Sequence, residues 1–244
     1  MEQVVRDITS AELMLFGDIV ARLARADNDM DIRAGVLRDV VRLVKADFAA
    51  SFVWSPLAGR FEGALIHDMD PKNIQNYNSY FQYHDPHTFQ LRAKRRATLV
   101  EEVMPYSKLR RTEFYNDFLS RDGLHHGMNI FFFDGDRDLG DFRLWRAASS
   151  PDFGAREIAL LNAIAPHLQA ALRRGNERFK DLTVREREVA FLVARGCRDR
   201  DIGNVLGIGF STVRTHLTRA MEKKGCANRA ELAAAIMHDG RASP

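Results

Sequence analysis

Leu182-Thr183-Val184-Arg185-Glu186-Arg187-Glu188-Val189 opens, and Gly225-Cys226-Ala227-Asn228-Arg229 closes, the stretch from which the rest of this 244-residue chain can be read. Thr183 followed by Glu186 is a capping box, in which the hydroxyl takes one free backbone N–H of a helix start and the carboxylate another. The helix so started carries Val189, Leu192 and Val193 and stops at Gly196, a residue suited to a left-handed cap. A second short helix is predicted from about Asp199 to Leu206 and a third from about Phe210 to Lys224. The tight turn Leu206-Gly207-Ile208-Gly209 joins them, as a helix-turn-helix requires. Asn228 with Glu231 repeats the capping pattern and opens a last helix with Leu232 and Ile236.

Placed at about 100° per residue, the third helix puts Val213, Leu217, Ala220 and Met221 on one face. Ser211, Thr215, Thr218, Arg219 and Glu222 fall on the other, with Arg214 and His216 on the flanks. Threonine can approach base edges closely, and arginine can fork onto guanine or phosphate, so this face suits a major groove. Taken alone, a polar helix face is usually just solvated. Charge adds weight to the nucleic-acid reading: from residue 176 on there are 13 Lys and Arg against 9 Asp and Glu, whereas the preceding residues carry 23 against 24.

Working back toward the N-terminus, Arg173 to Asp181 is polar, and residues 175–181 are expected to be a linker. Before it, Ile158, Leu161, Ala165, Leu168 and Leu172 form a short heptad seam on a long helix. Two readings stay open: the seam packs on its own domain, or it pairs with the same helix of a second copy. Pro166 is expected to kink that helix. Further back, Phe48–Trp54 and Arg60–His67 read as one hairpin across a Ser55–Gly59 break, and Met128–Phe133 and Leu139–Ala147 as another across Asp134-Gly135-Asp136. Thr98–Val103 is expected to be an edge strand. Helices are predicted at the start, capped by Ser10 and opened by Asp31, then from Pro71 to before Pro86, and from Pro105 to Arg121. The fold class is therefore α+β, with an N-terminal α/β/α sandwich around a central antiparallel sheet. Residues 1–174 form this domain, and residues 182–244 form an all-α helix-turn-helix domain of about four helices.

Apolar residues make up 45% of the chain, enough for a substantial core. Cys197 and Cys226 are too few for a disulfide framework, and no apolar run approaches the roughly 18 residues of a membrane span. With no signal-like start, a cytoplasmic protein without membrane attachment is expected. His84-Asp85-Pro86-His87 supplies too few ligands for a metal site, and no catalytic group, cofactor or metal is assigned.

The motif Leu182-Thr183-x-Arg185-Glu186-x-Glu188-Val189, with Gly196, Asp201-Ile202, Leu206-Gly207-Ile208, Thr212-Val213-Arg214-x-His216-Leu217 and Lys224-Gly225-Cys226-x-Asn228-Arg229, resembles the LuxR-type helix-turn-helix of bacterial transcriptional regulators. The resemblance covers about 60 residues and has many fixed points. It implies binding to double-stranded DNA, with Arg214, Thr215 and Thr218 reading bases and Arg219, Lys223 and the backbone near Thr183 meeting phosphates. Ser211 shares the exposed face. Two positions depart from the pattern: Arg198 and Gly209 stand where Ser or Thr usually caps the second and third helices. Asp199 is expected to take over the first of these caps.

Three kinds of input domain accompany such modules. A phosphorylated receiver is not expected, because Phe48–Trp54 lacks the acidic pair that should follow its first strand. An acyl-homoserine-lactone pocket would match Asp85 to the aspartate that binds the ligand amide, yet the tryptophans expected on either side are missing. The stretch Phe153 to Leu168 looks more like a GAF- or PAS-like sensor. Its pocket would draw on Trp54, Tyr77, Tyr80, Tyr83, Asp85, Phe131 and Trp145, each of which could equally be plain core. The expectation is a dimeric transcriptional regulator with a small-molecule effector. A lactone receptor and a ligand-free regulator governed by a partner protein are the alternatives, and RNA polymerase is a further candidate partner.

Overall fold

The computed structural model describes residues 8–26, 32–56, 58–178 and 181–238. These fall into two compact units, one ending at Leu172 and the other running from Arg173 onward. The first begins with α1 (Ser10–Arg25) and α2 (Ile32–Val44). The cap of α1 lies one residue earlier than expected: the Thr9 hydroxyl accepts the Glu12 N–H at 3.2 Å, and Glu12 accepts the Thr9 N–H at 2.9 Å. Asp31, expected to open α2, lies outside the described residues.

There follow β1 (Phe48–Ser55), β2 (Arg60–His67), α3 (Pro71–Ser79), α4 (Thr88–Ala93), β3 (Thr98–Leu99), α5 (Tyr106–Leu109), β4 (His126–Asp134), β5 (Arg137–Arg146) and α6 (Ala155–Arg178). The five strands form one sheet in the order β2-β1-β5-β4-β3, with every pairing antiparallel. The expected edge strand is only two residues long. The expected helix from Pro105 to Arg121 is also broken, into α5, a wide π-turn at Phe114–Phe118 and a tight 3₁₀ turn at Leu119–Asp122. Thr112 marks the interruption: its hydroxyl donates to the Leu109 carbonyl at 2.7 Å and accepts the Tyr115 N–H at 3.1 Å, which offers the backbone partners other than its own ladder.

Both faces of the sheet are covered, because successive strand residues point to opposite sides. Ala49, Met128, Ile130, Phe132, Phe142 and Leu144 pack with Val40, Leu43, Leu161, Ile164 and Leu168 in one core. Ala50, Phe52, Phe131, Phe133 and Trp145 pack with Ile74, Tyr77, Phe114 and Phe118 in the other. This is the α/β/α sandwich. The heptad seam of α6 is used inside this unit: Leu161, Leu168 and Leu172 are buried, and Ile158 and Ala165 pack against the same core. The helix continues through Pro166 as far as Arg178, so it takes in residues assigned to the linker, of which 179 and 180 lie outside the described residues.

Arg146, at the end of β5, closes the corner. Its guanidinium donates to the carbonyls of Val44, Lys45, Pro151 and Asp152 at 2.8–3.1 Å and lies 4.3 Å from the centre of the Phe153 ring. A buried arginine is tolerated when its donors are matched in this way.

The second unit contains α7 (Val184–Ala194), α8 (Asp199–Leu206), α9 (Phe210–Lys224) and α10 (Arg229–His238). Leu182, Val189, Val193, Ile202, Val213, Leu217, Ala220, Leu232 and Ile236 form its core. Among the described residues no helix is long and apolar enough to cross a membrane.

Candidate nucleic-acid interface and ligand pocket

Helix α9 starts at Gly209 and ends at Gly225, which takes φ 64°. Val213, Leu217 and Ala220 bury its inner face, while Ser211, Arg214, Thr215, Thr218, Arg219 and Lys223 are exposed. The expected reading face is therefore open, although its side chains are not equivalent. The Thr215 hydroxyl donates to the Ser211 carbonyl at 3.0 Å, which leaves its methyl group outward. Arg214 has its guanidinium carbon 6.0 Å from the centre of the Phe210 ring. Phe210, 53% exposed at the head of the helix, is a member of this surface that the sequence reading missed. The available signal was its position in the first turn, ahead of the buried Val213, Leu217 and Ala220.

Lys223 is less free than expected, because its Nζ lies 2.6 Å from Oε2 of Glu186, the same oxygen that accepts the Thr183 N–H at 2.8 Å. The Thr183 hydroxyl in turn accepts the Glu186 N–H at 3.3 Å, and Thr183 is itself exposed. One carboxylate thus caps α7 and anchors the far end of α9. Burial alone would raise its pKa, but the Lys223 ammonium and the Thr183 hydrogen bond outweigh that and hold it below the ordinary glutamate value.

At the start of α8, Arg198 is the cap residue, and the carboxylate of Asp201, not of Asp199, accepts its N–H at 3.3 Å. Asp199 is instead paired with Arg229, which also donates to the Cys197 carbonyl. The expected replacement cap is thereby corrected.

In the first unit a small cavity lies between the sheet and the helical layer, walled by Ala50, Phe52, Met69, Ile74, Tyr77, Asp85, His87, Thr88, Phe114, Phe118, Leu119, Leu124, Asn129, Arg143 and Trp145. Its volume is about 20 Å³. That is room for about one water. Of the expected pocket residues, Tyr77, Asp85 and Trp145 line it. Phe131 is buried in the same core but off the wall, and Trp54 packs edge-on against Phe61 and Phe89 at 5.0 and 5.3 Å between ring centres. Tyr80 and Tyr83 are 41% and 57% exposed, which removes them from the pocket. Tyr80 stacks on His84 at 4.1 Å and donates to Glu113 at 3.2 Å.

Arg143 is the charge that the sequence reading missed. Its Nε donates to Asp141 at 2.9 Å and its Nη1 to the Tyr77 hydroxyl, and the guanidinium sits 4.4 and 4.6 Å from the Phe61 and Phe52 ring centres. Burial works against its charge, but Asp141, Tyr77 and Asp85 overcome that and keep it protonated. Burial raises the Tyr77 hydroxyl well above the usual tyrosine range.

Asp85 behaves as a helix cap. One carboxylate oxygen accepts the N–H groups of His87 and Thr88 at 3.0 and 2.9 Å, and the other accepts the Thr88 and Tyr77 hydroxyls at 2.7 and 3.4 Å. Burial would raise its pKa, yet His87, Arg143 and these bonds bring it below the ordinary aspartate value. Burial lowers the pKa of His87, against the opposite pull of Asp85. Trp145 lies across Gly127, its partner on the neighbouring strand, where a Cβ would come 2.6 Å from the ring. Among the described residues no group of three or more His, Cys, Asp or Glu side chains is placed to hold a metal.

Residues 180–236 match the family described as GerE, bacterial regulatory proteins of the luxR family. The C-terminal domain belongs to the luxR family. This is a family of regulatory proteins, not of enzymes. Over 175 residues the chain is 27% identical to the monoamine regulon transcriptional regulator of Klebsiella aerogenes, covering 70% of this chain and 75% of that protein. The GAF domain of a phosphoenolpyruvate-protein phosphotransferase from Coxiella burnetii superposes with a TM-score of 0.54 at 14% identity, over 70% of this chain and 99% of that one. The N-acylhomoserine-lactone-dependent LuxR-family factor CepR2 from Burkholderia cenocepacia gives 0.51 at 17% identity, over 68% and 94%. These likenesses give the sensor-like fold of the first unit. The chain thus joins a helical unit that matches the luxR regulatory family to a first unit whose fold is like that of GAF domains.

Proposed function

We propose that this LuxR-family regulator binds its operator as a homodimer in the cytoplasm and that a small molecule held between the sheet and the helical layer of the first unit governs that binding. Two copies of α9 would read half-sites about one helical turn apart. Arg214, Thr215 and Thr218 face bases in this reading, and Ser211, Arg219 and the backbone near Thr183 face phosphates. The observation that carries the DNA half is the open face of α9, opposite a face on which Val213, Leu217 and Ala220 are buried. The sensing half is supported by the polar groups that converge on the cavity. Asp85 has its oxygens filled by groups of its own chain, which counts against an acyl-lactone ligand anchored there.

Selection of binding sites from random duplexes by the full chain tests the proposal, with a repeated motif in two half-sites as the expected result. A selected pool without a shared motif would refute it.

A further inference from the structure

Among the described residues, the cavity wall contains one polar side chain whose donor and acceptor are both unused. Asn129 is 1% exposed, and among the described residues neither its side-chain oxygen nor its side-chain nitrogen has a hydrogen-bond partner. Buried amides are ordinarily bonded, because leaving one dry is costly. Its neighbours across the sheet are Thr98 on one side and Arg143 on the other. Thr98 is engaged, its hydroxyl donating to the Arg96 carbonyl at 3.0 Å. Arg143 is held by Asp141 and Tyr77, and the oxygens of Asp85 are occupied as described above. Asn129 therefore presents both an open acceptor and an open donor to the cavity, whereas the other wall atoms that lack a hydrogen bond, His87 Nδ1 and Arg143 Nη2, each lie beside a carboxylate, at 3.2 and 2.9 Å.

Charge narrows the occupant further. The one guanidinium on the cavity wall, Arg143, is already answered by Asp141 and Asp85, so an anionic ligand would meet no uncompensated positive charge. A cationic ligand would find both oxygens of Asp85, the carboxylate on the cavity wall, already occupied. A neutral group that donates and accepts side by side matches Asn129, and the rings of Phe52, Tyr77, Phe114, Phe118 and Trp145 match a flat apolar body.

We propose that the pocket takes a small neutral carboxamide on an aromatic or cyclic body, held by paired hydrogen bonds to Asn129. This deepens the ligand-sensing reading and rests on it. Because the cavity now has room for about one water, the occupant enters by displacement of Phe114, Phe118 and Leu119, which belong to the π-turn and the turn that follows it, a backbone form common at functional sites.

The test compares benzamide, benzoate and benzylamine, which share a ring and differ in the polar head, by thermal unfolding of the full chain and of Asn129→Leu. Benzamide at 100 times its dissociation constant should raise the Tm of the wild type by about 5–10 °C. Asn129→Leu should weaken that binding at least tenfold and should itself raise the Tm of the ligand-free protein. Equal binding to both proteins, or preference for a charged analogue, would overturn the Asn129 assignment and leave the pocket as a ligand site. If none of the three binds and Asn129→Leu lowers the Tm, the amide is satisfied by water, and the carboxamide proposal and the sensing reading fall together.

Discussion

The two units place their charges in opposite ways. In the C-terminal unit the charged groups sit around an apolar core, and the one buried carboxylate among its described residues, Glu186, joins helix ends at the rim. In the N-terminal unit Arg143, Asp141 and Asp85 are enclosed between the sheet and its helical cover. A surface that must meet DNA keeps its chemistry outside. Charge enclosed within a fold, by contrast, needs a partner for each ion.

Breaking the interior side of this contrast should have the largest effect. Arg143→Leu leaves Asp141 buried without its cation and should cost about 3–5 kcal/mol. In a denaturant titration of the full chain the N-terminal unit should unfold early while the helical signal of the C-terminal unit persists. A single unshifted transition would show that the enclosed charge is not structural. On the outer side, Arg214→Ala should lose about 1–3 kcal/mol of operator affinity with stability changed by less than about 0.5 kcal/mol. Gel-shift and thermal melting together read the two numbers.

Glu186→Gln should cost the C-terminal unit about 1–2 kcal/mol, since cap and lysine bridge are weakened together. The wild-type carboxyl is held below the ordinary glutamate value, so its contribution is present above pH 4.5 and declines as the pH falls below that. Glu12 behaves likewise in the other unit. Its pKa of about 2, set by the Thr9 N–H, Arg156 and Lys45, gives a contribution that is lost between about pH 4.5 and 2. Melting temperatures from pH 7 to 3 should fall less in Glu186→Gln than in the wild type. The smallest effect is expected of Thr215→Val. Its hydroxyl is already spent on Ser211, so binding measured by fluorescence anisotropy should change by less than about 0.5 kcal/mol.

The same contrast governs what could be read from the sequence. In the C-terminal unit the deciding signals are local: Thr183 with Glu186, Gly196, Gly207 and Gly225 set helix ends within a few residues, and all four helices lie where expected. In the N-terminal unit the strands were legible from alternation, but the meaning of that alternation was not. Asp141, Arg143 and Asn129 alternate with apolar residues as a solvated sheet face would. Only the covering layer from α3 to the turn at Leu119–Asp122 makes that face an interior, and its contacts span some 70 residues of chain. Tyr80 and Tyr83 failed for the complementary reason, since the short turn at Phe81–Tyr83 points them outward.

The difference between Asn129 and its neighbours also bears on how the proposed pocket would change its preference over generations. Asp85 and Arg143 are held by groups of their own fold, so altering either disturbs the whole layer. Asn129 has no such duty among the described residues, and under the proposal a single codon change there would retune what the pocket accepts while the scaffold stays as it is.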